Sequence, residues 1–202
     1  MASDHAHTVQ RLLADLGRCG ARCALVGGFA FSVRVKPRST KDVDFSVAVA
    51  SDGEAEQLVR ALLQRGYRHG ALLENTDARR LATVRLFLPG SVSREPEADL
   101  LFATCGIEPE VVASATQLQI DAIGKVAVAR IGHLIAMKCL SESDRRPQDR
   151  VDLHELVEVA DRRELDLARA GVGLIEKRGF ARGKDLQAVL QTFLARRPKR
   201  AR

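Results

Sequence analysis

Asp42 and Asp44 stand one residue apart and lead straight into an apolar run, Val43 to Val49. If that run is a strand, alternate side chains share a face, so both carboxylates project to the same side. Two such carboxylates repel each other, and holding them at the end of a buried strand calls for a neutralising cation. A hard divalent ion with oxygen ligands, such as Mg2+, meets that need. Upstream, a short apolar run, Arg22 to Val26, ends in Gly27-Gly28, and Phe29 to Val35 then reads as a helix closed by Pro37. Glycines at such a strand–helix turn let backbone N–H groups approach an anion. Anion cradle and metal carboxylates together point to chemistry on a nucleoside triphosphate (NTP).

The rest of the chain divides in two. Ala6 to Leu16 has apolar residues at helical spacing, and Ala55 to Gln64 repeats the pattern after a Ser51-Asp-Gly-Glu54 helix start. From Tyr67 to Leu101 the pattern shifts toward alternation. Leu81 to Leu88 and Glu97 to Phe102 read as strands, and Asp99 opens the apolar part of the second. Glu108 to Ala113 is a short helix, and Leu118–Ile120 with Lys125–Val128 suggests a hairpin or paired strands. Beyond Arg130 the pattern turns helical: Ile131 to Ser141, Pro147 to Ala160 and Lys184 to Ala195. Between the last two, Gly171, Gly173, Gly179 and Gly183 interrupt any regular element. The expected class is α+β: a mixed-sheet core over residues 1–115 and a mostly helical region over 116–202, packed together with a cleft between.

Composition narrows the function classes. No apolar run approaches the length of a membrane helix, and the polar N-terminus lacks a signal core, so the expected compartment is the cytoplasm. Cys19, Cys23, Cys105 and Cys139 form no C-x-x-C pair, which argues against zinc and for reduced thiols. The net charge is +6, and from Asp161 to Arg202 twelve Lys/Arg face five Asp/Glu. Such a basic end suits contact with polyanions including RNA, although solvated helix faces explain it equally. There is no Trp and only one Tyr, so no base-stacking platform is visible.

These residues carry a family resemblance. Val26-Gly27-Gly28, then Arg38-Ser-Thr40-Lys-Asp42-Val-Asp44, then Asp99 on a later strand, resemble the nucleotidyltransferase superfamily typified by DNA polymerase β. Within it, the R-x-T-x-D-[IV]-D pattern is similar to the AbiEii/AbiGii toxin-like nucleotidyltransferases. His133-Leu-Ile-Ala-Met-Lys138 and Arg146-Pro-Gln-Asp149-Arg-Val-Asp152 resemble that group's second half. The resemblance implies that Asp42, Asp44 and Asp99 hold two Mg2+ ions and that Asp99 lies nearest the incoming hydroxyl. It assigns Gly27, Gly28, Arg38, Thr40, Lys138, Asp149 and Asp152 to the nucleotide, with Lys138 placing positive charge at the triphosphate. Many members have Gly-Ser where this chain has Gly27-Gly28, and Ser32 one turn further on is the nearest hydroxyl.

Two of these assignments have plain alternatives. Lys138 can snorkel from an apolar helix face, and helix-surface ion pairs with Arg145, Arg146 and Arg150 explain Asp149 and Asp152 as well. The activity implied is transfer of NMP from an NTP to an acceptor hydroxyl, as the toxin of a toxin–antitoxin or phage-defence system. The acceptor is then tRNA or a protein, and the partner a cognate antitoxin. An antibiotic-modifying nucleotidyltransferase and a non-catalytic nucleotide- or RNA-binding module are the competing readings.

Overall fold

In a computed structural model the chain is described over residues 2–76 and 79–197, with side chains from residue 6 onward. The end of the basic stretch, 198–202, lies outside the described residues. Among the described residues, eight helices and seven strands follow in order: α1 Ala2–Arg18, β1 Arg22–Val26, α2 Gly27–Arg34, β2 Val43–Ala48, α3 Asp52–Leu63, β3 Arg68–Asn75, β4 Arg80–Phe87, β5 Ala98–Leu101, α4 Glu108–Ser114, β6 Thr116–Ile120, β7 Gly124–Val128, α5 Ile131–Ser141, α6 Pro147–Val159, α7 Arg162–Lys177 and α8 Leu186–Ala195. The class is α+β, as expected.

All seven strands join one sheet in the order β3-β4-β5-β2-β1-β7-β6. Pairs β2–β5 and β1–β7 are parallel and the others antiparallel. Val43, Phe45, Ser46 and Val47 of β2 are all buried, so this central strand is covered on both faces. The β6–β7 hairpin enters the sheet beside β1, so the sheet continues past residue 115 and the helical part begins at Ile131. A single apolar cluster runs from Val9 in α1 to Phe193 in α8.

Local chemistry explains most of the element ends. Ser51 caps α3 by accepting from Glu54 N–H at 3.3 Å, and Glu54 Oε2 in turn accepts from Ala50 N–H at 2.7 Å. Pro147 opens α6 at a position where a missing N–H costs nothing. Asp161 caps α7 by accepting from Glu164 N–H at 2.8 Å.

Helix α7 is the largest departure from the sequence pattern, which left that stretch irregular. One of its two glycines is a packing device: a Cβ on Gly171 would lie 2.9 Å from the Ala136 Cβ of α5. Across the same crossing, a Cβ on Gly132 would lie 2.4 Å from the Glu164 carbonyl oxygen. Glycines here mark where two helices approach closely, not where one ends.

Candidate active site

Strand β1 delivers the chain to Gly27, which opposes the first turns of β2. Val26 pairs with Asp44 across the antiparallel ladder, and Gly27 takes φ +64°. A Cβ at Gly27 would fall 1.8 Å from Asp44 Oδ2, so both its conformation and its surroundings demand glycine. The next residue, Gly28, donates its backbone N–H to the Asp44 carboxylate. The glycine turn is thus built around Asp44 itself.

Parallel pairing supplies the third carboxylate. Asp44 of β2 sits opposite Asp99 of β5, while Asp42 immediately precedes β2. Oxygens of Asp42, Asp44 and Asp99 all lie within 4.8 Å of one another. Burial pushes the Asp44 carboxyl up to about 7, with Asp42 and then Asp99 adding repulsion. Asp99 is pushed up to about 6, mainly by burial; Arg85 across the ladder, 3.4 Å away, pulls it down and Asp42 adds to the rise. Three hard oxygen donors that repel one another in partial burial fit a divalent cation such as Mg2+.

The electrostatics carry a sign. Both carboxyls bind protons more tightly folded than unfolded, so the metal-free protein loses stability as pH rises from about 4 through about 7. Thermal unfolding without divalent ions should therefore show a lower Tm at pH 8 than at pH 5, and Mg2+ should raise Tm more at pH 8. A Mg2+ shift of equal size at both pH values would exclude binding by these carboxylates.

Facing them is a buried ionic network. Lys138 Nζ of α5 lies 2.7 Å from Asp149 Oδ1 and 2.7 Å from Asp152 Oδ2, both on α6. Arg38 Nη2 donates to Asp152 Oδ2 at 2.9 Å, and Gln148 donates to Asp152 Oδ1 at 2.9 Å. Burial pulls the Asp149 carboxyl upward, but Lys138, Arg146 and Ser141 together outweigh it and the net shift is down. These aspartates are not surface ion pairs.

Their positions also separate two assignments made together from sequence. Asp149 lines the cleft, whereas Asp152 has 0% exposure and lies behind Lys138 and Arg38 with both oxygens occupied. Asp152 thus anchors two cations from behind the cleft wall. An i, i+3 spacing puts two residues on one helix side, but only packing depth decides which of them reaches solvent.

The remaining predicted residues line one cavity of about 600 Å³ with the carboxylates: Gly27, Gly28, Arg38, Thr40 and Lys138. A Cβ at Gly28 would lie 2.7 Å from Arg38 Nη2 and 2.9 Å from Thr40 Oγ1. Those two side chains fill the space where a serine would stand. Ser32 is not a substitute, since its Oγ donates to Gly28 O at 3.1 Å and accepts from Arg38 N–H at 3.3 Å. Arg34 turns away to the carbonyls of Val128 and Ala129, at 2.8 and 3.0 Å.

Sequence reasoning passed over Arg85, Thr83, Thr104 and Arg182, which also line the cavity. Arg85 had a signal, since it falls on the same strand row as Asp99 once β4 and β5 are paired. Arg182 had none.

A family model described as nucleotidyl transferase AbiEii toxin, type IV TA system, matches residues 11–201. No curated protein matches the sequence. Among solved structures, an antigenic nucleotidyltransferase-like protein from Paracoccidioides brasiliensis superposes with a TM-score of 0.51 at 20% identity, over 94% of this chain and 93% of that one. The antibiotic-resistance factor ANT(2'')-Ia gives a TM-score of 0.50 at 14% identity, over 97% and 94% of the two chains. MenT4, a nucleotidyltransferase toxin from Mycobacterium tuberculosis H37Rv, gives 0.42 at 14% identity, over 96% and 92%. At these identities the similarity is one of fold.

Proposed function

From the premise that this chain belongs to the AbiEii family of nucleotidyl transferase toxins, we propose that it transfers NMP from an NTP to an acceptor hydroxyl. One observation carries the reading: Asp42, Asp44 and Asp99 converge within 4.8 Å on the wall of a cavity that also holds Gly27, Gly28 and Lys138. A third carboxylate is what a transfer site adds to simple nucleotide binding. Bound at these three residues, divalent ions would supply activation of the attacking oxygen and neutralisation of charge on the leaving group.

The chain's own groups have separate tasks. Gly27 leaves room for the Asp44 carboxylate at the turn, and Gly28 orients it through its N–H. Lys138 is held by Asp149 and Asp152, so its ammonium stays fixed at the cleft where the triphosphate would lie. Arg38 and Thr40 occupy the space beside Gly28 and bring a cation and a hydroxyl to the same wall. Asp99, set beside Asp44 by strand pairing, would take the proton of the acceptor hydroxyl as its oxygen attacks the α-phosphorus and pyrophosphate leaves.

The family description implies a cognate antitoxin as partner. For the acceptor, tRNA or a protein agrees with a net charge of +6 better than a polycationic drug does. Five cations stand against five carboxylates around the cavity, which is not the acidic surface an aminoglycoside needs. Among the described residues, no helix is long and apolar enough to cross a membrane.

The direct test is incubation with each α-labelled NTP, Mg2+ and a mixture of tRNA and cell protein. A Mg2+-dependent label on one macromolecule is the expected result. Nucleotide binding without any labelled acceptor or pyrophosphate release, under conditions where an antitoxin is absent, would favour a non-catalytic module instead.

A further inference from the structure

The sheet ends on one side at β3, whose neighbour is β4 alone. Its outer edge carries a row of backbone N–H and C=O groups that no strand among the described residues answers. With eight residues, β3 and β4 are the longest strands of the sheet. Of the eight in β3, Asn75 is the one that is buried.

Exposed edges commonly carry a device against association, such as lysine, proline or polar side chains. The opposite edge, β6, has one: its exposed positions are Thr116, Gln117 and Gln119. Strand β3 has neither lysine nor proline, and leaves Leu72 53% and Leu73 45% exposed. Neighbouring residues of a strand point to opposite faces, so apolar surface is offered on both sides of this edge. The register with β4 shifts between His69 and Ala71 and again between Leu73 and Glu74. Between those shifts Ala71, Leu72 and Leu73 pair regularly with Arg85, Val84 and Thr83, and the ladder runs on to Asn75 opposite Arg80. The bulges add twist without ending the strand.

The order of charges says what fits. The strand begins basic, at Arg68-His69, and turns acidic at Glu74, with the two leucines between. Arg68, His69 and Glu74 are all exposed. The Arg68 guanidinium lies over the Phe87 ring at 4.8 Å and donates to the Ser91 carbonyl at 3.3 Å, which holds it at the edge. Antiparallel pairing with a second copy, centred near Ala71, sets the Arg68 end of each strand against the Glu74 end of the other. Parallel pairing would set like charges together. A two-fold axis makes the contact isologous, so each favourable charge contact occurs twice.

We propose that β3 is a dimerisation edge: two copies of this chain pair β3 to β3, antiparallel, and their sheets become continuous. The pairing borders the site, because Leu73, Glu74, Asn75 and Thr76 line the carboxylate cavity and the second copy stands at its mouth. An interface built on one strand pair belongs to the small class, below roughly 800 Å² per partner, and such a dimer dissociates in the micromolar range.

The test is sedimentation equilibrium of the full chain from about 5 to about 200 μM, a range that brackets a micromolar dissociation constant. The mass should rise from 22.1 kDa toward twice that value. Leu72→Lys should hold the protein at the single-chain mass. Arg68→Glu and Glu74→Arg each bring like charges together at both ends, and each should weaken the dimer about tenfold or more. The double variant restores opposite charges and should recover the original affinity to within about threefold. That recovery separates loss of contact from loss of folding. Gln119→Lys, on the other edge, should change nothing. The proposal is overturned if the chain stays single at about 200 μM, or if the dimer survives Leu72→Lys. It is equally overturned if Gln119→Lys breaks the dimer, or if the double variant stays as weak as the single ones.

Discussion

Asp44→Asn is expected to abolish NMP transfer, lowering kcat/KM by at least about a thousandfold, or about 4 kcal/mol of transition-state stabilisation. The same substitution should leave Tm unchanged or raise it when divalent ions are absent. The reason is the direction of its pKa: burial, Asp42 and Asp99 all oppose ionisation of Asp44, pushing it up to about 7. Removing that charge removes repulsion from the folded state. Lys138 and the Gly28 N–H offset this, and an amide oxygen keeps the second of these. Steady-state transfer and a thermal melt at pH 8 check the two halves. Activity within tenfold of the unaltered protein would sink the metal assignment.

Asp152→Ala should do the opposite to stability. Asp152 has no exposure and holds Arg38, Lys138 and Gln148 at 2.9, 2.7 and 2.9 Å. Truncation leaves Arg38 without its ion-pair partner and Lys138 with Asp149 alone, and breaking a buried pair costs about 3–5 kcal/mol. In a chain of this size that corresponds to a fall in Tm on the order of 10 °C. Transfer should fall with it, because Lys138 and Arg38 lose the anchor that holds them at the cleft wall. Urea unfolding of the purified variant measures the loss. A change under about 1 kcal/mol would mean that Asp152 behaves as an exposed helix pair, contrary to its burial. The contrast between the two aspartates rests on countercharge: Asp152 has two cations in contact, and Asp44 faces two other carboxylates.

Much of the site was legible because its chemistry is local. The strand that Asp42 leads into and that bears Asp44 shows as the apolar run from Val43 onward, and the glycine turn shows as an interruption between two apolar runs. Helix α5 appears over the same residues in sequence and structure, Ile131–Ser141. Helix α7 did not show, because glycine reads as a breaker in a single sequence while Gly171 is there to let α7 approach Ala136. The pairing of Asp149 with Asp152 was visible as spacing, but their difference in depth was not.

Sequence by itself determined the α+β class, the carboxylate pair and the need for glycine beside it, since each follows from backbone periodicity and steric freedom within a few residues. Tertiary structure decided the rest. Asp99 joins the pair only through the parallel register of β2 and β5, which sets it opposite Asp44. Lys138 and Arg38 meet over Asp152 only because α5, α6 and the segment before β2 pack together. Arg182 arrives from the far end of the chain, on a segment held by Glu110 and by the end of α5. Such placements depend on long-range pairing and packing depth, and neither leaves a period or a spacing along the chain.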